Sequence, residues 1–345
     1  FFAEGTHRRV IDPESGQYRF LRHHYSDTAW YFVTSQPGGA KAVAQETPPA
    51  AEPTVFSQAT DLFIRHEREE VNLIRSGREW YQQVVPAIQN SVGTGLTDLV
   101  TTERIRYTAR VLGRSDTHTS FTISQGSDAV RTIPVPPVNT TDLNGLFAES
   151  VTVSDSLFPA SVSPSFALSF SNGGNLAATG YIDYVEFSAR ASLTWRGNQL
   201  FITDSRSVAP GSITRFTVGG SAALKVWDVT DPFAPLAIQT TTSSGNTVFT
   251  AAADSLRRFV AFSTASLKQP GRSVEVPPQN LHATAPADMI IVTHPLFISY
   301  AERLASLHFA DDGTTSVIVT PEQVYNEFSG GIPDAAAIRN FVKMI

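Results

Sequence analysis

"DMIIVTHPLFISYAERLASLHFADDGTTSVIVT", Asp288 to Thr320, decides the fold class of the end of this chain. "DMIIVTH" and "TTSVIVT" are continuous apolar runs, not alternating ones, as expected of strands buried on both faces of a parallel sheet. Between them, Pro295 suits a first helical turn, and Leu296, Phe297, Tyr300, Leu304 and Leu307 fall on one helical face. Gly313 marks the stop, so the segment reads as a β-α-β unit. The "SGG" of 329–331 reads as a tight turn. A further helix follows, in which Asp334 caps and Ile338, Phe341, Val342 and Ile345 share a stripe. Two strands with so few helices cannot cover both faces of a parallel sheet, which predicts a fragment truncated inside an α/β domain.

Upstream the pattern changes to two-residue alternation. "ERIRYTARV" sets Ile105, Tyr107, Ala109 and Val111 against Arg104, Arg106, Thr108 and Arg110, and "SFALSF" does the same with Phe166, Leu168 and Phe170. "SLTWRGNQLFITD" reads as two strands around a turn at Arg196–Asn198, and "ALKVWDVTDP" as a strand stopped by Asp231–Pro232. Many strands separated by turns predict an antiparallel β-sandwich or jelly roll. Residues 1–35 are aromatic and β-leaning, with Tyr18, Phe20, Tyr25, Trp30, Tyr31 and Phe32, and 36–54 are Pro/Ala/Gly-rich and read as loop. "VPPQNLHATAPA" before Asp288 reads as a linker. The expected layout is a β-rich region over 1–90, a sandwich over 91–280 and the α/β start over 286–345.

Composition excludes several functions. The 345 residues carry a formal charge of −6 and only 26 scattered Lys and Arg, which argues against a nucleic-acid partner. With no cysteine there is no disulfide, thiolate metal site or cysteine nucleophile within these residues. No apolar run approaches the ~18–20 residues of a membrane span.

Motifs are equally restrictive. His66–Glu67 begin an HExxH pattern, but Glu70 occupies the second histidine position, so zinc hydrolysis is set aside and "FIRHEREEVNLIRSGREWY" (63–81) is read as structural or docking. His23 and His24 read as surface or strand residues, and His308 as a structural helix residue. His294 stands at the end of the first α/β strand, where open parallel sheets place ligand sites. "SGG" lacks the spacing of a phosphate or dinucleotide loop, and no metal or cofactor is expected.

"YSDTAWYFVT", "HEREEVNLIRSGREWY", "GYIDYVEFSARASL", "VWDVTDP", "DMIIVTHPLF" and "EQVYNEFSGGIPDAAAIRNFVKMI" occur in that order. Together they resemble the N-terminal part of a member of the gingipain family of cysteine peptidases, its cell-surface sortase branch in type IX secretion of Bacteroidota. The resemblance implies a β-rich leader before a caspase-like α/β peptidase domain. It also implies a catalytic cysteine and histidine on later strands, downstream of Ile345, so no catalytic residue is expected within this chain. The implied partners are secreted cargo with C-terminal sorting domains, anionic lipopolysaccharide and outer-membrane secretion subunits; the implied location is the cell surface. A gingipain-like protease without sortase activity and a glycan- or protein-binding β-sandwich are the alternatives.

Overall fold

The structure, a computed structural model, describes residues 5–11, 18–34, 38, 42–269 and 271–345. The chain forms two compact units, one of Val43–Leu267 and one combining Phe1–Ala42 with Lys268–Ile345. Its first strands are β1 (Arg8–Ile11) and β2 (Tyr18–Leu21), an antiparallel pair. In the larger unit follow β3 (Ala44–Gln45), β4 (Val55–Ser57), β5 (Ala59–Glu67), β6 (Gln82–Val84), β7 (Gln89–Ser91) and β8 (Ile105–Arg114). Next come β9 (Thr119–Gln125), β10 (Asp128–Val135), β11 (Glu149–Leu157), β12 (Phe166–Ser171), β13 (Thr179–Ser192) and β14 (Leu200–Ile202). The unit ends with β15 (Ile213–Val218), β16 (Lys225–Asp228), β17 (Leu236–Ile238), β18 (Thr240–Ser243), β19 (Asn246–Ala252) and β20 (Phe259–Phe262). The smaller unit closes with β21 (Met289–Val292), α1 (Ile298–Asp312), β22 (Ser316–Val319), α2 (Pro321–Phe328) and α3 (Ala335–Met344).

The alternation at 104–111 and 166–170 is what builds the first core. Ile105, Tyr107, Ala109 and Val111 on β8 face Phe166, Leu168 and Phe170 on β12, and all seven are buried. They lie between the sheets β11-β8-β13-β5 and β10-β9-β12-β7. A second core of Ile202, Phe216, Val218, Val226, Phe249 and Phe259 fills the space between β14-β20-β16-β17-β3 and β18-β19-β15-β4. The larger unit thus holds two β-sandwich cores where the alternation pattern alone implies one.

Three sequence expectations differ here. The break placed near residue 90 falls on β7, which pairs with β12, and the compact unit begins at Val43. "SLTWRGNQLFITD" has its turn, with Gly197 at φ 90°, but its strands do not pair with each other. β13 pairs with β5 and β8, whereas β14 pairs with β20, so this stretch is the crossing between the two cores. The aromatic run extends only partly into sheet: Tyr18 and Phe20 lie in β2, while Tyr25, Trp30, Tyr31 and Phe32 follow in irregular chain. Of the Pro/Ala/Gly-rich stretch 36–54, residues 36, 37 and 39–41 lie outside the described residues, and the rest is irregular around β3.

The smaller unit contains the expected β-α-β. β21 and β22 run parallel, Met289 opposite Ser316 through Val292 opposite Val319. Gly313 at φ 78° ends α1, its N–H donating to the Phe309 carbonyl at 3.1 Å. Asp334 caps α3, accepting from the Ala336 N–H at 2.8 Å. Two readings are corrected. The expected apolar stripe is exposed, with Leu296 and Phe297 in the turn before α1 and Tyr300, Leu304 and Leu307 on it, and α1 buries only Ala301. A two-stranded sheet is roughly one ~4.8 Å strand spacing wide, too narrow to cover a broad helical face. On α3, Val342 is exposed, and the buried residues are Ala337 and Phe341. Met289–Val292 is half-buried throughout. The core gathers Val319, Val324, Ala337 and Phe341.

Gly331 ends the turn after α2 at φ 84°, and a Cβ there would lie 3.3 Å from the Trp30 Cβ. Both the left-handed backbone and the close approach require glycine. Gly331→Ala is expected to cost about 1–2 kcal/mol; urea unfolding that leaves the midpoint unmoved would contradict this.

Candidate functional site

The "HEREEVNLIRSGREWY" segment forms the most built polar cluster of the larger unit. β5 ends at Glu67, and the chain returns through reciprocal backbone bonds between Val71 and Tyr81 at 2.9 and 3.0 Å. Asn72 closes the loop: its Oδ1 accepts from the Ser76 N–H at 2.9 Å and its amide donates to the Ser76 carbonyl at 3.1 Å. Arg75 at φ 54° and Gly77 at φ 78° supply the left-handed turn. The loop thereby lays Leu73 on a small apolar patch of Tyr81, Leu112 and Tyr181 on the outer face of the β8–β13 sheet.

A bulge in β13 aims the charges. Its pairing with β8 shifts between Ile182 and Tyr184, and Ile182 and Val185 both point into the core. Asp183 and Tyr184 therefore stand together on the outer face, a common use of a bulge. Arg110 Nη1 donates to Asp183 Oδ2 at 2.6 Å and to Glu79 Oε1 at 3.1 Å. The Tyr81 hydroxyl donates to Glu79 Oε2 at 2.6 Å. Beside them Arg65 lies over the Tyr184 ring at 4.0 Å and binds Glu186 at 2.5 Å and Glu67 at 2.8 Å. Burial pushes the Asp183 carboxyl up, an effect that Arg110 opposes. The hydroxyl bond from Tyr81, then Arg110, holds Glu79 below its ordinary range. Burial and Glu79 push the Tyr81 phenol upward, so it keeps its proton. The cleft above, about 280 Å³, is lined by Leu73, Arg78, Glu79, Tyr81, Arg110 and Phe147, among others. Its carboxylates are held by Arg110 and its hydroxyl by Glu79, an arrangement suited to binding and not to proton transfer.

The smaller unit carries the second cluster, around Glu327 on α2. Its carboxylate accepts from the Leu281 N–H at 2.7 Å, the Gln279 amide at 2.9 Å and the His282 N–H at 3.2 Å. His282 Nδ1 adds a contact at 2.7 Å, and the imidazole stacks on Phe328 with centroids 4.6 Å apart. The stretch read as a linker is thus anchored at its middle.

The sequence-selected histidines have local partners. His66 lies in a strand, not a helix, and shares a 2.9 Å hydrogen bond with Gln82. His294 follows β21 as expected, but its Nδ1 accepts from the Leu296 N–H at 3.2 Å, capping the turn before α1. His23 Nδ1 accepts from the Ser26 N–H at 3.2 Å, and its Nε2 lies 3.6 Å from the Asp334 carboxylate. His24 is exposed, and His308 is half-buried on α1. Among the described residues no three His, Cys, Asp or Glu side chains group as a metal site. No described helix is long and apolar enough to cross a membrane.

The β21-α1-β22-α2-α3 segment has a counterpart among known families. Residues 282–345 match the model of Peptidase family C25. The fold of the whole chain is similar to that of dimeric latent PorU from Porphyromonas gingivalis, with a TM-score of 0.81 and 21% identity. That alignment covers 100% of this chain and 33% of the PorU chain, so the chain spans about a third of that structure. A second solved structure, the insecticidal delta-endotoxin Cry8Ea1 from Bacillus thuringiensis, has a TM-score of 0.20 and 15% identity. It covers 25% of this chain and 16% of that one, and carries no argument about fold. Comparison with the curated proteins found no match. The C25 match begins at His282, so the Glu327 cluster pins the entry of the peptidase-family segment. The sequence reading missed Glu327 because its partners lie about 45 residues earlier in a stretch that looks like linker.

Proposed function

We propose that this chain is the N-terminal part of a cell-surface cysteine peptidase of type IX secretion. The match of residues 282–345 to Peptidase family C25 carries the reading. The PorU-like fold across all 345 residues supports it. In this reading the nucleophile lies outside the 345 residues, which contain no cysteine. A thiolate activated by a histidine attacks the carbonyl that joins cargo to its C-terminal sorting domain; the peptide C–N bond breaks and the histidine returns the proton to the departing amine of the sorting domain. The resulting thioester passes either to water or to an amine of an anionic lipopolysaccharide, so one site performs both cleavage and attachment. Outer-membrane secretion subunits and cargo are the partners.

The test compares this chain with the full-length gene product. A thiol-directed activity probe is expected to label the longer product at one cysteine and to leave residues 1–345 unlabelled. The longer product is also expected to release the sorting domain from a cargo protein. A longer product without a reactive cysteine would remove the mechanism. A product that cleaves cargo but never joins it to lipopolysaccharide would reduce the reading to a surface protease.

A further inference from the structure

The cleft at Tyr81 and Arg110 opens beside a sheet edge that is left unprotected. An edge strand exposes about half of its N–H and C=O groups, and folds blunt it by brevity, proline, bulges or cover. In the larger unit β3, β4, β7, β14 and β18 are edges of two to four residues. β10 is longer but contains Pro134 and a register shift between Ala129 and Arg131. β5 gives its Asp61 N–H to the Thr203 carbonyl at 2.7 Å. β11 has nine residues, no proline, no glycine, and an unbroken register on β8 from Glu149 to Leu157. Among the described residues, Glu149–Leu157 makes no backbone-to-backbone hydrogen bond outside that ladder. Asp155, the charge that would deter a neighbour, is neutralised by Arg131 at 2.8 Å.

We propose that β11 receives an extended peptide segment of another protein, which adds to the sheet as a further strand and places one aromatic side chain in the cleft beside Ser150. The edge sets the class of ligand, because only a polypeptide backbone presents donors and acceptors at the spacing of a β ladder. Strand addition draws its affinity from those main-chain bonds and its specificity from pockets for alternate side chains. β11 supplies both. On its inner face Val151 and Val153 pack against the first core yet are only half-buried, so apolar side chains opposite them would complete their cover. On its outer face stand Ser150, Thr152 and Ser154, all exposed. Ser150 also lines the 280 Å³ cleft, together with Leu73, Arg78, Tyr81 and Leu112. Because Ser150 is small, a side chain opposite it can lean across, and diagonal cross-strand positions ~7–8 Å away are within reach of aromatic and long side chains. The cleft floor is the apolar patch of Leu73, Tyr81 and Leu112, and its rim carries the exposed Arg78, a cation able to lie over a ring. A second copy of β11 is the poorer occupant. Its outer-face side chains at 150, 152, 154 and 156 are all Ser or Thr, too short to cross Ser150.

The probe is a nine-residue peptide selected from a phage-displayed random library on the intact chain and labelled with fluorescein. Selected sequences are expected to alternate apolar and polar residues around one aromatic residue. Changing that residue to alanine should weaken binding, read by fluorescence anisotropy, at least about tenfold. Ser150→Phe fills the cleft from β11 itself, so in that variant the aromatic peptide and its alanine version should bind equally. Hydrogen exchange should slow on binding at every second amide of β11, those pointing away from β8. N-methylation of the peptide at alternate positions should abolish binding in one series and spare it in the other. A library that yields no binder, a bound peptide that leaves the β11 amides unchanged, or binding that survives both N-methyl series would overturn the proposal. So would β11 amides already protected without peptide in a manner that rises with chain concentration, which would place a second copy on the edge.

Discussion

Arg190→Met is expected to destabilise the larger unit by about 3–5 kcal/mol, and to split its unfolding into two transitions. Arg190 Nη1 lies 2.5 Å from Asp61 Oδ1 and 2.8 Å from Asp204 Oδ1. The three side chains are 10%, 9% and 4% exposed, so water screens the cluster little. Both carboxylates have further donors: Ser57 Oγ gives a 2.6 Å bond to Asp204, and the Ser205 N–H a 2.8 Å bond to Asp61. Those donors do not replace a cation. Removing the guanidinium leaves two buried like charges side by side. The cost is that of an unpaired buried charge, well above the ~1 kcal/mol of a surface pair. The cluster also has a mechanical role. Asp61 and Arg190 sit on β5 and β13 of the first sandwich, whereas Asp204 follows β14 of the second. Losing Arg190 therefore uncouples the two cores as well as destabilising both. Urea unfolding followed by tryptophan fluorescence and by circular dichroism tests this. Coincident curves with a loss below ~1 kcal/mol would refute it. The triple variant Arg190→Met, Asp61→Asn, Asp204→Asn removes the stranded charges and should recover most of the loss.

What the sequence disclosed follows a physical division. A strand with one dry face must alternate, so the inward sets on β8 and β12 were legible residue by residue. Alternation says which side of a strand is dry and not which sheet it joins. The stretch at 192–204 therefore read as a hairpin although it crosses from one core to the other. Helical periodicity has the same limit: it found the apolar stripe of α1 but could not tell that only Ala301 is covered. α2 went unread although its signal was present. Thr320 and Gln323 form a capping box around Pro321, with the Thr320 hydroxyl accepting from the Gln323 N–H at 3.3 Å. The cleft cluster had no such signal. Glu79, Arg110 and Asp183 are brought together only by strand pairing and a one-residue bulge, neither of which leaves a local spacing.

Glu327→Gln is expected to loosen the entry to the C25-like segment by about 2 kcal/mol at neutral pH, and to abolish an acid sensitivity of that region. Burial by itself would raise the Glu327 pKa. The Leu281 N–H, the Gln279 amide and both His282 donors outweigh it and bring it down from an ordinary 4.5 to about 2. A carboxyl whose folded value is depressed contributes stability in full above its unfolded value and loses it as pH falls toward the folded value. The contribution is therefore complete above about 4.5 and fades between there and about 2, with a ceiling near 3 kcal/mol. Glutamine keeps the shape but turns one acceptor into a donor facing other donors, so some of the four contacts must break. The ring of His282, stacked on Phe328, would lose its anchor, while the Phe328–Phe341 contact at 5.5 Å lies deeper and should persist. Hydrogen exchange at the Leu281 and His282 amides reads the local event apart from global unfolding. Protection at both amides should fall roughly tenfold or more in the variant at pH 7. Between pH 5 and pH 3 it should decline in the unmodified chain and stay level in the variant, once intrinsic exchange rates are divided out. Parallel profiles in the two proteins would mean that Glu327 does not hold this segment.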